Sequence, residues 1–372
     1  MDETSTLATQ EQLPTESETF LEPFVFDPDA EPPPEEPIFG GFLSKGDLTF
    51  WIGREKHRKT NILLQLAICA AVGRNFLHFR FSAPQPQRIV MVDYESKTRR
   101  LKERYEAICR AMDLGEEEKN RLKENLRIVE VPKAYKAGKS FSRFPGARGT
   151  QKQEEAEEFW QQFARRYPAD LYIFDPMRSM HAGDENDSTI EFLLTRLRRL
   201  FPEAAVIVAH HMRKPGSGDY SISLKQDIRA WSDGARGSGA IKAHADVIVC
   251  QERIVESDAE VVYWGAFQRD EADIEPMPLE ETGANTFFWQ VSAQVLPHLL
   301  PSYNALKKAG GSWPSKTAAA QVIQNAATGK PPSRATAYRH LDTLRNLGFV
   351  SDGNGMWSLT PLASGAPQQT TP

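Results

Sequence analysis

The sequence predicts an α/β protein with a mainly parallel central sheet, joined to a small C-terminal module of three helices and a hairpin. Three observations predict it. Asp47 to Ala70 (DLTFWIGREKHRKTNILLQLAICA) reads as a short buried strand, a cationic turn and a helix. Further short apolar runs, Arg88 to Val92, Leu171 to Phe174 and Ala205 to Ala209, alternate with helical patterns and end in polar residues, as strands of a parallel sheet do. After Pro297 the pattern changes to helices broken by glycines, then a hairpin.

In the first segment Leu48, Phe50 and Ile52 alternate into Gly53, while Ile62, Leu63, Leu66, Ala67 and Ala70 fall on one helical face. A strand, turn and helix of this kind aim backbone N–H groups and the positive end of a helix dipole at the space above the turn. An anion is the natural occupant. The turn, Gly53-Arg-Glu-Lys-His-Arg58-Lys59-Thr60, follows the phosphate-cradling pattern G-x-x-x-x-G-K-[ST], except that Arg58 stands in place of the second glycine. In that pattern the lysine reaches the β/γ-phosphates and the hydroxyl holds Mg²⁺. Gly53, Arg58, Lys59 and Thr60 are therefore the candidate nucleotide-binding residues. The alternative is a basic surface loop with an accidental Lys-Thr.

At 372 residues, 40% hydrophobic and 26% charged, the chain has the composition of a soluble globular protein of two domains. No run approaches the roughly 18 apolar residues of a membrane span, and the start lacks the basic-then-apolar pattern of a signal peptide, so no membrane association and a cytoplasmic location are expected. Cys69, Cys109 and Cys250 are far apart and read as core thiols. Residues 1–37 hold eleven acids and no Lys or Arg; against a net charge of −5, the remainder stands at +6. A mildly basic folded part permits nucleic-acid binding.

The expected organisation is a disordered acidic tail over 1–37, an α/β domain over 38–296, a C-terminal module over 297–362 and a loose end over 363–372. The tail is a solubilising segment or, through Phe20, Leu21, Phe24, Val25 and Phe26 set among acids, a segment that docks a protein partner.

The second strand runs into Asp93-Tyr94-Glu95, where a parallel sheet presents catalytic groups beyond its strand ends. Its acids are a water-activating carboxylate or helix caps. The polar segment 132–152 interleaves Lys and Arg with Tyr135, Phe141 and Phe144, which suits either a nucleic-acid contact or a solvated loop, and its Gly138-Lys139-Ser140 is a decoy phosphate-loop ending. Leu171 to Phe174 ends in Asp175-Pro176, the acid pattern that holds Mg²⁺ opposite a phosphate loop. Ala205 to Ala209 ends in His210-His211, which are core histidines, metal ligands or polar sensors of a γ-phosphate. Asp246 to Gln251, Glu260 to Gln268 and Thr286 to Val291 read as closing strands, the last two antiparallel.

This order, with Ala235-Arg236-Gly237-Ser238 before the closing strands, resembles the RecA-fold ATPases grouped around the RepA-type hexameric plasmid helicases, over about Gly40 to Val291. The resemblance implies a RecA-like P-loop fold, ATP with Mg²⁺ at a subunit interface, a homo-oligomer such as a hexamer, and single-stranded DNA moved by hydrolysis. Carried over by position, Lys59 meets the β/γ-phosphates, Thr60 and Asp175 organise Mg²⁺, Glu95 activates water and His211 senses the γ-phosphate. Arg236 matches the arginine finger that reaches a neighbour's nucleotide. The sequence departs from the family at Arg58.

The C-terminal module looks like a winged helix-turn-helix, which would carry duplex DNA on its third helix and wing. Arg334, Thr336, Tyr338, Arg339 and His340 occupy the first half of that helix, where base and phosphate contacts fall. The sequence thus points to an ATP-driven helicase of DNA replication or recombination. The competing reading is a DNA-binding regulator or scaffold whose P-loop, spoiled at Arg58, holds nucleotide weakly or not at all.

Overall fold

The computed structural model describes residues 35–77, 81–136, 151–180, 189–212, 222–235, 238–256, 259–269, 271–283, 285–292, 299–310, 312–326, 331–346, 349–353 and 356–359. The acidic tail, most of the basic segment 132–152 and Arg236 lie outside them. The chain divides into two units, Met1–Glu35 and Glu36–Pro372, and every described element belongs to the second.

A short hairpin, β1 (Pro37–Phe39) and β2 (Leu43–Ser44), leads into β3 (Leu48–Gly53) and α1 (Lys59–Val72). There follow β4 (Ile89–Asp93), α2 (Thr98–Ala111), α3 (Glu116–Asn125), β5 (Leu126–Glu130), α4 (Val131–Lys136), α5 (Gln151–Arg166), β6 (Leu171–Asp175), α6 (Thr189–Leu200) and β7 (Ala205–His211). The short helices α7 (Ile228–Ser232) and α8 (Ser238–His244) precede β8 (Val247–Glu256), β9 (Ala259–Gln268), β10 (Ile274–Glu281) and β11 (Trp289–Val291).

These strands form one nine-stranded sheet in the order β11-β10-β9-β8-β3-β7-β6-β4-β5. From β8 to β5 all neighbours are parallel, while β8, β9, β10 and β11 pair antiparallel. The fold is a mainly parallel α/β sheet. Its decisive feature is that β7 lies between the loop-bearing β3 and the acid-ended β6, so that the C-terminal ends of these three strands stand side by side.

Alternation sends the strands' side chains into two cores. Leu48, Phe50, Ile52, Val90, Phe174 and Val208 join one, and Trp51, Met91, Ile173 and Ile207 join the other together with α1. The one-faced helix expected over Ile62 to Ala70 is instead buried all round, because the sheet covers one side and α2 and α3 the other; only Thr60 of its fourteen residues is not fully buried. Gly73 ends α1 at φ 79°, with its N–H on the carbonyls of Cys69 and Ala70. Among the described residues no helix is long and apolar enough to cross a membrane. Cys69 is buried, and burial pushes its thiol up to about 12.

Two expectations shift. The last predicted strand contracts to β11, and β10 was not anticipated because Pro276 and Pro278 interrupt it. Pro276 falls in the register irregularity between Ile274 and Met277, whereas Pro278 is paired with Tyr263 on β9 and precedes the first β11 pair, its carbonyl accepting from the Ser292 N–H at 2.9 Å.

The C-terminal segment comprises α9 (Leu300–Ala309), β12 (Ser312–Trp313), α10 (Lys316–Asn325), α11 (Arg334–Asn346), β13 (Val350–Gly353) and β14 (Met356–Leu359). Its three strands form a sheet in the order β12-β14-β13. Ser315 caps α10 by accepting from the Ala318 N–H at 3.2 Å, and Ser333 accepts from the Thr336 N–H at 3.1 Å at the start of α11. Leu306, Ile323, Leu341, Phe349 and Trp357 belong to the same hydrophobic core as α1.

Candidate functional site

The site begins where β3 delivers the chain into the turn before α1. Gly53 is required there: a Cβ would lie 2.7 Å from the Gln251 carbonyl and 3.2 Å from the Lys59 side chain. The turn closes with Arg58 at φ 68°, ψ 13°, the left-handed conformation for which a glycine would be the easy choice. Lys56 is left-handed too, at φ 64°. The chain thus adopts a phosphate-loop turn without the second glycine, at a cost of about 1–2 kcal/mol per left-handed residue. The first turn of α1 carries no acid and no side-chain cap, so its N–H groups face the loop as an anion site would need.

The loop is tied down from β8, the strand beside β3. Gln251, fully buried, accepts from the Trp51 indole N–H at 2.7 Å and donates through Nε2 to the His57 carbonyl. His57 Nδ1 accepts from the Arg253 N–H at 3.0 Å. Burial, then Lys59, Arg54 and Arg253, lower the His57 pKa to about 4, so the ring is a neutral acceptor. Sequence reasoning missed this clamp. Nothing local marks Gln251, which meets the loop only because β8 pairs with β3.

Lys59 is almost fully buried, and its three ammonium protons are all placed. Nζ donates to the Gly53 carbonyl at 2.7 Å and the Arg54 carbonyl at 3.0 Å, and lies 3.2 Å from His211 Nδ1. Burial lowers its pKa to about 8, with Asp175, Glu95 and Glu55 opposing, so it remains charged at neutral pH. Acceptance at Nδ1 leaves the His211 proton on Nε2.

Asp93 and Asp175 stand opposite each other in register at the ends of β4 and β6. Both are buried. Asp93 Oδ1 accepts from the N–H groups of Glu95 (2.9 Å) and Ser96 (2.6 Å), and its Oδ2 is a buried atom without a hydrogen-bond partner among the described residues. Burial and then the Asp93 charge raise the Asp175 pKa to about 6, although the Thr60 hydroxyl donates to it. Two buried carboxylates, one with an orphaned oxygen, make a place where a divalent cation fits. Among the described residues no group of three or more His, Cys, Asp or Glu is arranged to hold a metal, so Thr60 and substrate oxygens would complete such a shell. Glu95 stands at the exposed mouth; partial burial and Asp93 raise its pKa, and the Ser179 hydroxyl holds it.

Four strands and one loop therefore bring Lys59, Thr60, Glu95, Asp175 and His211 into one electrostatic neighbourhood. Residues 14–217, more than half of the sequence, match the family model of the AAA domain. The chain belongs to this AAA-domain family. The family is one of RecA-like P-loop ATPases, which generally bind ATP with Mg²⁺, so the AAA domain assigns a nucleotide-driven activity. No curated protein is similar enough in sequence to count as a relative. Among solved structures, the AAA-domain chain is similar to a KaiC-like protein of the hyperthermophilic archaeon Pyrococcus horikoshii OT3, at 14% identity and a TM-score of 0.44, covering 69% of this chain and 96% of that one.

A second residue that the sequence reading missed is Arg104 on α2. Burial lowers its pKa while Asp93 and Asp175 oppose the shift, which puts its guanidinium within the field of the AAA domain's acid pair. Arg236 is outside the described residues; its neighbour Ala235 forms an antiparallel bridge with Met212, next to His211.

The five α11 residues divide. Arg334 and Arg339 are exposed. Arg334 donates to the Tyr338 hydroxyl at 3.1 Å and stacks on its ring, and that hydroxyl also lies 2.6 Å from Thr317 Oγ1. Thr336 supports the helix start through Ser333 at 2.9 Å. His340 turns to Ser302 on α9, 2.8 Å from its hydroxyl, where it braces one helix against another.

Proposed function

We propose that this protein is an ATP-driven motor acting on DNA, of the RepA-like helicase kind, working as a homo-oligomer such as a hexamer in replication or recombination. The observation that carries the nucleotide half is the convergence of Lys59, Thr60, Asp175 and His211 at the C-terminal ends of three adjacent strands, β3, β7 and β6. Thr60 and Asp175 would hold Mg²⁺, which neutralises charge on the β- and γ-phosphate oxygens when bound. Lys59 would exchange the loop carbonyls for phosphate oxygens, a stronger, charge-assisted pairing. Glu95 has the exposure and raised pKa of a group that orients and activates water. His211, with its proton on Nε2, supplies a donor, and Arg236 would complete a neighbouring copy's site.

The DNA half is supported by the C-terminal segment. Support comes from three helices and a three-stranded sheet in the order β12-β14-β13, the parts a winged helix would need, in which α11 would be the recognition helix and the β13–β14 hairpin the wing. Arg334 and Arg339 on the exposed face of α11 suit duplex phosphates, and single-stranded DNA is assigned to the AAA domain by the resemblance to the RepA-type helicases alone.

Steady-state ATP hydrolysis with Mg²⁺, with and without single-stranded DNA, tests the proposal against Lys59→Ala. DNA-stimulated turnover that vanishes in the variant is the expected outcome. The strained Arg58 favours a second reading, a DNA-binding scaffold with a weak P-loop, which predicts no turnover in either condition and duplex binding indifferent to ATP.

A further inference from the structure

Arg58 is anomalous in its backbone, and its side chain is anomalous as well. Its guanidinium reaches away from α1 to Glu260 on β9, with Nη2 3.8 Å from Oε2. Both side chains are well exposed, at 40% and 47%. An exposed pair at that distance is the weakest kind of ion pair. Glu260 has a closer partner in Arg253 on β8, so it would keep a counter-charge if Arg58 left. Arg253 in turn gives its N–H to His57, one residue before Arg58. The phosphate loop and the β8–β9 ribbon are thus joined in a ring: His57 to Arg253, Arg253 to Glu260, Glu260 to Arg58. The Arg58 link is the loosest one.

Arg58 also precedes Lys59 directly, at the mouth of the first turn of α1, and its charge is felt by Arg104, which lies in the field of Asp93 and Asp175. We propose that Arg58 is a phosphate ligand held in reserve by Glu260: when a nucleoside triphosphate enters, the guanidinium exchanges the Glu260 carboxylate for phosphate oxygens and releases its grip on the β8–β9 ribbon. A guanidinium presents a planar fork of donors that matches phosphate oxygens, so the exchange replaces one long, solvent-screened contact by short charge-assisted ones. The residue that breaks the glycine pattern is then a replacement for it: the cation compensates in ligand contacts for what the loop loses in conformational ease. The proposal rests on the nucleotide-binding reading above.

The test is ATP and ADP affinity, measured by titration calorimetry with Mg²⁺, for the full-length wild type and for Arg58→Gly, Arg58→Ala, Glu260→Gln and the double variant Arg58→Ala/Glu260→Gln. Arg58→Gly separates the two roles of the residue, because it relaxes the backbone while removing the cation. Expected are a loss of ATP affinity of about tenfold in Arg58→Gly and Arg58→Ala, as for one charge-assisted contact. Glu260→Gln should tighten ATP binding by up to about fivefold, the value of an exposed ion pair, and that gain should vanish when Arg58 is Ala. ADP binding should change less than ATP binding in every variant. If Arg58→Gly bound ATP as tightly as wild type or more so, or if the Glu260→Gln gain persisted without Arg58, the proposal would be overturned while nucleotide binding stood. Wild type that bound no ATP at all would overturn the nucleotide reading itself.

Discussion

Gln65, in the middle of α1, makes two hydrogen bonds to the main chain of Trp289 on β11: its Nε2 donates to the Trp289 carbonyl and its Oε1 accepts from the Trp289 N–H, both at 2.7 Å. A side-chain amide so placed mimics a neighbouring strand, satisfying an edge strand that has β10 on one side only among the described residues. The helix that follows the phosphate loop is thereby locked to the far end of the sheet.

Replacing Gln65 by Leu should leave a buried N–H and a buried C=O unpaired. We expect a loss of about 2–4 kcal/mol of stability, read as a lower midpoint in urea with an unchanged slope. A variant as stable as wild type would mean that water or a shifted chain satisfies Trp289.

Arg58→Gly should raise stability in the absence of nucleotide. Relief of the left-handed arginine is worth about 1–2 kcal/mol, and the extra unfolded-state freedom of glycine returns roughly 0.5–1 kcal/mol of that. A net gain of a few tenths to about 1 kcal/mol, visible as a small rise in Tm, is the expected result. A lower Tm would show that the Arg58 side chain contributes more to the free protein than its backbone costs.

Glu95→Gln should reduce kcat by about 10²–10⁴ while leaving ATP affinity nearly unchanged, because a water-activating group acts on the transition state rather than on the bound substrate. Single-turnover hydrolysis separates the two quantities. A fall in affinity with kcat retained would instead make Glu95 a positioning or capping residue.

The neutral His57 predicts a pH signature. Its pKa is depressed to about 4 in the folded chain against an ordinary 6.5, so an unfolded chain takes up a proton that the folded one refuses. The stabilisation is fully present above pH 6.5 and is lost as pH falls toward 4, by an amount on the order of 2 kcal/mol. Thermal midpoints of wild type and His57→Gln should therefore converge across that window. Parallel curves would mean that His57 titrates normally in the folded protein.

Arg339→Ala should weaken duplex binding and lower the slope of log K against log salt by about 1, the mark of a single phosphate contact. Anisotropy titrations at several salt concentrations measure it. His340→Ala, by contrast, should cost stability through the lost Ser302 contact and leave the salt slope where it was.

What the sequence made legible was whatever a strand end advertises locally. Lys59 and Thr60 follow a glycine turn, Asp175 and His211 close apolar runs, and a mainly parallel sheet was readable from those runs alternating with helices. What stayed hidden depends on pairing between distant segments. Gln251 lies nearly two hundred residues beyond His57 in the chain, yet its amide reaches that residue's carbonyl because β8 and β3 are neighbours. The register of Asp93 with Asp175 comes from β4 lying beside β6. β10 was concealed by two prolines, one in the register irregularity between Ile274 and Met277 and one paired with Tyr263 inside the ladder. The all-round burial of α1 was hidden because a pattern of apolar faces shows where a helix can pack, not how many partners will come.

The strand order also has a consequence for biosynthesis. β3 is complete at Gly53, but it lies between β7, which ends at His211, and β8, which ends at Glu256. At about 5–20 residues per second, the phosphate loop emerges roughly 10–40 s before the last strand that clamps it has been made. By the end of β5 at Glu130 the elements that cover α1 have been made, but throughout that interval the loop itself lacks the Gln251 and Arg253 contacts that hold it. The nucleotide loop is among the first parts of the domain to be translated and among the last to take shape.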